Sequence, residues 1–189
     1  MPKIEGNEIR PGNVIEHNGR PWRVMKTEHV KPGKGGAYMQ CEMRDLMTGS
    51  KTNERFRASD TIERVRLEQR NYQYLFQDGD EFTFMDLETF DQITVGGDII
   101  GEPKKFLSDG MQVEIEFYED TPLNVTLPET VTLTVDDAEP VVKGQTATAS
   151  YKPATLENGV RVMVPPHVDP GTRVVVKPAD GSYVEKLKT

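Results

Sequence analysis

The chain has 189 residues, of which 35% are hydrophobic and 29% are charged, and its formal net charge is -8. This acidic balance argues against a general nucleic-acid-binding protein, because nucleic-acid phosphates repel such a chain. Residues 1–10 lack the apolar run of a signal peptide, and no segment approaches the roughly 20 apolar residues of a membrane span. The single cysteine cannot form an intrachain disulfide. We therefore expect a soluble cytoplasmic protein.

The first third of the chain is rich in signals for antiparallel strands. Asn18-Gly19 favours a tight hairpin, because a type I′ turn needs positive φ at both central positions. Further on, Met39, Cys41 and Met43 alternate with polar residues, which indicates a strand with one buried side. Several short strands in about 60 residues suggest a small closed barrel, in which Cys41 is a core residue rather than a reactive thiol.

The middle and last thirds show the same pattern. "YQYLFQDGDEFTFMD" predicts two strands joined at Asp78-Gly79, and "MQVEIEFY" and "NGVRVMVPP" alternate with period two. Between the first two of these segments, "GGDIIGEPKKFLSDG" predicts one or two short helical turns, the second beginning at Pro103 and ending at Gly110. Two modules of about five strands fit oligonucleotide-binding (OB) barrels, so the fold class is all-β, with predicted domains 1–64, 65–127 and 128–189. We find no strict sequence repeat.

Charge differs between these domains. Residues 1–64 carry 12 Lys and Arg against 9 Asp and Glu, residues 65–127 carry 4 against 14, and residues 128–189 carry 7 against 8. The first domain could approach RNA while the rest is repelled by it. Variation in charge for solubility is the simpler explanation, and the asymmetry alone favours it.

Motifs for enzyme chemistry are missing from the sequence. Lys34 follows a glycine, but Glu28 and Gly35 stand where a nucleotide-binding P-loop needs Gly and Ser or Thr. The three histidines and Cys41 show no metal-ligand spacing, and no serine lies in a Gly-x-Ser-x-Gly setting. We therefore predict a protein that is not an enzyme and has no metal site.

The loop "HVKPGKGGA" at residues 29–37 is the remaining candidate. Pro32 fixes φ, while Gly33, Gly35 and Gly36 permit positive φ and a close approach to another molecule. Lys34 projects three hydrogen-bond donors on a long stem, suited to electrostatic positioning or to covalent modification. A mobile surface hairpin whose lysine only aids solubility is an equally good explanation of these residues.

Four long segments resemble the bacterial elongation factor P family. They are "VKPGKGGAY", "LMTGSKTNERF", "YLFQDGDEFTFMDLETFDQ" and "GQTATASYKPATLENGVRVMVPPHVDPGTRVVV", in family order and spread over nearly the whole chain. The resemblance implies a KOW/SH3-like barrel followed by two OB-fold barrels in an L-shaped, tRNA-like arrangement.

The resemblance also implies a function. Such factors bind both subunits of the ribosome between the peptidyl and exit tRNA sites and relieve stalling at consecutive prolines. The loop formed by Lys31, Pro32, Gly33, Lys34, Gly35 and Gly36 would contact the acceptor end of the peptidyl-tRNA. Lys34 would be the modified residue, carrying a β-lysyl group, an aminopentanol group or no group, with an enzyme related to lysyl-tRNA synthetase as the modifier.

A second loop is implied to approach the exit-site codon. Many family members have Gly-Asp-Thr there, whereas this chain has Gly144, Gln145 and Thr146. Gln145 can still hydrogen-bond to bases through its amide, without a carboxylate to repel phosphate. The resemblance implies no cofactor apart from the group on Lys34, no membrane partner and a monomeric state.

Two alternatives stay open. One is a paralogue similar to elongation factor P with another modification or none, against which the intact "KPGKGG" argues. The other is a non-ribosomal oligonucleotide-binding adaptor, which should combine a basic groove with aromatic stacking surfaces. The acidic middle domain disfavours the adaptor, and we assign most of Phe82, Phe84, Phe90 and Tyr118 to the core.

Overall fold

The structure is a computed structural model that describes residues 2–140 and 150–188. The described chain divides into two compact units, one formed by Met1–Gln69 with Glu116–Leu123 and the other by Arg70–Ile115 with Asn124–Thr189. Short β-strands dominate both, which confirms the predicted all-β class. The domain boundaries after residues 64 and 127 stay a prediction.

The first strands form a two-stranded and a four-stranded antiparallel sheet. The four-stranded order is β2-β3-β4-β5, and β1 pairs with β6. A 3₁₀ turn spans Gly6–Glu8. The strands are β1 (Lys3–Glu5), β2 (Val14–His17), β3 (Arg20–Val30), β4 (Tyr38–Asp45), β5 (Lys51–Arg57) and β6 (Thr61–Glu63).

The predicted hairpin at Asn18-Gly19 is confirmed. Asn18 and Gly19 have φ angles of 53° and 77°, as a type I′ turn between β2 and β3 requires. The alternation in β4 is also confirmed, because Met39, Cys41 and Met43 are all buried. They pack in a core cluster with Ile9, Ile15, Trp22, Val24, Phe56 and Ile62.

Two five-stranded sheets follow, in the orders β11-β10-β7-β8-β9 and β14-β13-β12-β15-β16. The strands of the first are β7 (Glu68–Asp78), β8 (Glu81–Asp86), β9 (Gln92–Gly96), β10 (Gln112–Tyr118) and β11 (Thr121–Thr126). Those of the second are β12 (Val131–Ala138), β13 (Lys152–Leu156), β14 (Arg161–Val164), β15 (Arg173–Lys177) and β16 (Ser182–Lys186). Five strands in each sheet agree with the expected OB-type modules.

The predicted helical segment between β9 and β10 is present and shorter than expected. Helix α1 spans Gly97–Ile100, and a 3₁₀ turn spans Glu102–Phe106 with Pro103 in its first turn. The second turn ends at Phe106 rather than at Gly110, because Leu107 is extended and donates its N–H to the Lys104 carbonyl.

A six-residue loop occurs twice, after β4 and after β8. "DLMTGS" (45–50) and "DLETFD" (86–91) share Asp, Leu and Thr at matching positions. In each, the first aspartate accepts two backbone N–H groups through Oδ1, at 2.8 and 3.4 Å from Asp45 and at 2.8 and 3.3 Å from Asp86. These bonds lower the pKa of Asp86, the Glu88 N–H contributing most. The two loops match at three of six positions, so they are a recurring turn rather than a strict sequence repeat.

The fifth position of the repeated loop has positive φ in both copies. Gly49 has φ of 79° and Phe90 has φ of 65°. Left-handed backbone suits glycine and is unfavourable for a residue with a Cβ. Phe90 is also 68% exposed, so it is not one of the core aromatics predicted from the sequence. Phe82 and Phe84 are buried, as predicted.

Replacing Phe90 with glycine is expected to raise the free energy of unfolding by about 0.5–1 kcal/mol, because left-handed strain is relieved and little buried surface is lost. Urea unfolding of the whole chain measures the change. Gly49→Ala, at the matching position, is the control and should lower stability by about 1 kcal/mol. Loss of stability in Phe90→Gly would show that the exposed ring supports the fold.

Candidate functional site

The lysine loop, residues 31–37, connects β3 and β4 at one end of the four-stranded sheet. Val30 pairs with Tyr38, and Tyr38 pairs in turn with Arg57 of β5, so three strands reach the base of the loop. The Ala37 carbonyl also accepts the Ala58 N–H at 3.0 Å. Strand pairing and backbone hydrogen bonds therefore hold the two ends of the loop in place.

Within the loop, residues 31–36 are all exposed. A Cβ atom built on Gly33, Gly35 or Gly36 would have no neighbour within 4 Å, so close packing explains none of these glycines. Among them only Gly35 has positive φ, at 100°. The sequence allowed positive φ at all three, whereas the structure requires it at Gly35 alone.

Lys34 lies at the middle of this loop with its side chain in solvent. In the part of the chain that the structure describes, neither Lys34 nor Lys31 forms an ion pair. Both ammonium groups are therefore available to another molecule. A free ammonium offers three donors to phosphate, hydroxyl or carbonyl oxygens, and it is accessible to a modifying enzyme.

Two arginines on β5 extend the positive charge to the base of the loop. Arg57 is opposite Tyr38, and the Arg55 guanidinium lies 4.8 Å from the centre of the Tyr38 ring. The stacking orients the guanidinium, a group suited to phosphate recognition. Sequence reasoning missed both arginines, because the β4–β5 register places them near a loop that lies about 20 residues earlier in the chain.

Of the other predicted candidates, Gly144, Gln145 and Thr146 lie outside the described residues. Burial raises the pKa of the Cys41 thiol to about 11, so at neutral pH the group is a protonated core thiol and not a nucleophile. Across residues 2–140 and 150–188 no group of three His, Cys, Asp or Glu could hold a metal ion. In the same residues no helix has the length and apolar character needed to cross a membrane.

Three family models match successive parts of the chain. They are described as the elongation factor P KOW-like domain at residues 5–62, the elongation factor P OB domain at residues 67–125, and elongation factor P, C-terminal, at residues 131–186. The matches cover both the lysine loop and the β7–β11 sheet.

Curated relatives agree with the family models. Elongation factor P of Sphingopyxis alaskensis is 55% identical over 184 residues, which cover 97% of this chain and 98% of the relative. Elongation factor P of Zymomonas mobilis is also 55% identical, with the same coverage of both chains.

Among solved structures, the chain is similar to eukaryotic translation initiation factor 5A from Methanococcus jannaschii. The TM-score is 0.56 at 22% identity, and the match covers 67% of this chain and 92% of the other. This likeness concerns the fold alone. The three family models and the relatives above half identity show that the chain belongs to the elongation factor P family of translation elongation factors.

Proposed function

We propose that the chain binds both subunits of the ribosome between the peptidyl and exit tRNA sites and promotes peptide-bond formation at consecutive prolines. Membership of the elongation factor P family supports this role. The observation that carries it in this molecule is Lys34, exposed and without an ion pair in the described chain. It lies on a loop whose base is formed by three strands of the four-stranded sheet.

The proposed action is to position the substrate, and the ribosome performs the chemistry. Proline is conformationally constrained and reacts poorly both as nucleophile and as peptidyl donor. A cationic loop that holds the acceptor end of the peptidyl-tRNA would fix the reacting groups in a productive orientation and lower an entropic barrier. Lys31, Arg55 and Arg57 would supply further contacts to phosphate, with Lys34 as the residue nearest the reacting end.

Lys34 is also the proposed site of a lysine-type covalent addition, made by an enzyme related to lysyl-tRNA synthetase. Its exposure gives such an enzyme access to the amine. An added group would lengthen the reach of the loop and add donors at its end. In this proposal the factor is a cytoplasmic monomer and is not itself an enzyme.

The test is translation of a reporter with three consecutive prolines in a purified system, using chain isolated from its native host. A reporter with alanines in place of the prolines is the control. We expect the factor to raise full-length product from the proline reporter and to leave the alanine reporter unchanged. Intact mass of the same sample sizes any group on Lys34. Equal yields with and without the factor would reject the proposed role.

A further inference from the structure

The outer surface of the strands β7, β8 and β9 carries an aromatic ring turned away from the core. Phe76 is 51% exposed, whereas its neighbours Tyr74, Phe82 and Phe84 are buried. The register shifts between Tyr74 and Phe76, and Phe76 is opposite Thr83. A bulge of this kind re-aims a side chain, so the ring lies on the outer surface. Thr83, which is itself buried, pairs onward with the exposed Thr94.

Two carboxylates lie beside this ring on the same surface. Asp78 is directly opposite Glu81, and both side chains are exposed. Like charges at directly opposite positions destabilise a strand pair. Among the described residues, neither Asp78 nor Glu81 has an ion-pair partner. The neighbouring Asp80 does have one, because its Oδ1 lies 3.9 Å from Nζ of Lys104.

The sequence around these carboxylates is strongly acidic. Residues 71–96 include six carboxylates and no Lys, Arg or His, and Lys104, from outside this segment, is paired with Asp80. An OB barrel commonly binds single-stranded nucleic acid on this surface through stacking aromatics and a basic groove. Here the exposed aromatic residue, Phe76, is present, but the surrounding side chains are negatively rather than positively charged. Repulsion between like charges therefore disfavours a phosphate partner and favours a cationic one.

We propose that this surface, formed by the exposed residues Phe76, Asp78, Glu81 and Thr94, docks a Lys- and Arg-rich protein segment. A guanidinium can stack on the exposed Phe76 ring and form ion pairs with Asp78 and Glu81. The bound cation would also remove the repulsion between the two carboxylates. The proposal rests on the proposed function, because it assigns this surface a basic protein partner within the ribosomal complex.

The first test replaces Phe76 with the photo-crosslinking residue p-benzoylphenylalanine in the full chain, bound to purified ribosomes. The same residue at His29, an exposed position next to the lysine loop, is the control for complex formation. We expect the adduct from position 76 to be with a Lys- and Arg-rich protein segment identified by mass spectrometry. Adducts with RNA alone, or none at position 76 while position 29 reacts, would overturn the docking proposal. Absence of adducts at both positions would reject the proposed function and this proposal with it.

The second test removes the charges and keeps the shape. Asp78→Asn with Glu81→Gln is expected to weaken binding to purified ribosomes about fivefold, since two partly exposed ion pairs are lost, and to reduce its salt dependence. The matched control is Asp136→Asn with Asp137→Asn, which neutralises two exposed carboxylates on β12. Sedimentation binding at several salt concentrations measures both. Urea unfolding should show undiminished stability, and unchanged ribosome affinity in the β7–β8 double variant would refute the docking role.

Discussion

Replacing Lys34 with alanine is expected to abolish rescue of the triple-proline reporter while changing the free energy of unfolding by less than about 0.5 kcal/mol. The side chain is exposed and forms no ion pair in the described part of the chain, so the fold loses little. The loop loses the only ammonium at its middle and the amine that a modifying enzyme would use. Reporter yield, intact mass and urea unfolding of the same samples give the three readouts.

Lys34→Arg separates the charge from the modification. Arginine keeps a positive charge and hydrogen-bond donors but has no primary amine to modify. If the covalent group is required, this variant should fail in the reporter assay as Lys34→Ala does. Full activity in Lys34→Arg would contradict the proposal that a covalent group is required, and it would be consistent with a role of the positive charge alone. Full activity in Lys34→Ala would contradict both.

Asp45→Ala is expected to lower the free energy of unfolding by about 2–3 kcal/mol, because a buried carboxylate that anchors a loop is removed. Asp45 is 0% exposed, and its Oδ2 lies 2.8 Å from Nη1 of Arg20. Its Oδ1 accepts the backbone N–H groups of Met47 and Thr48 at 2.8 and 3.4 Å. Arg20 is 46% exposed, so solvent screens its charge, and we expect most of the effect to come from the Met47 and Thr48 N–H groups left without an acceptor.

Asp45→Asn is the matched variant for this prediction. An asparagine keeps an acceptor oxygen of similar geometry for Met47 and Thr48, but it loses the charge that pairs with Arg20. Its effect on urea unfolding should be less than half that of Asp45→Ala. Equal losses in the two variants would show that the charge, rather than the loop hydrogen bonds, carries the stabilisation.

Local signals in the sequence predicted most of the strands. The hairpin at Asn18-Gly19 was predictable because few residue pairs tolerate positive φ twice in succession. The buried side of β4 followed from alternation alone, since Met39, Cys41 and Met43 project to one side of a pleated strand. Pro103 likewise marked the start of a helical turn. The barrel types, by contrast, came from the family resemblance.

The parts that were not predicted depend on register and backbone geometry. Arg55 reaches the base of the lysine loop because β5 pairs with β4. Phe76 leaves the core because of a bulge that no residue type announces. Positive φ is found at Gly35 and not at Gly33, although both glycines have the same freedom in the sequence. The roles assigned to the loop residues stay a prediction for the experiments above.

The sheet that ends at the base of the lysine loop limits how far the loop can extend. Val30, Tyr38 and Arg57 form the last paired row, and Lys34 is the fourth residue beyond Val30, past the end of β3. Extended backbone covers at most about 3.3 Å per residue, so the Lys34 Cα atom stands no more than about 13 Å beyond the row. Tyr38 is also four residues from Lys34, so a deletion on either side lowers that limit by a similar step, whereas an insertion raises it only if both sides are lengthened. The number of residues between Val30 and Tyr38 therefore constrains this loop independently of their chemical identity.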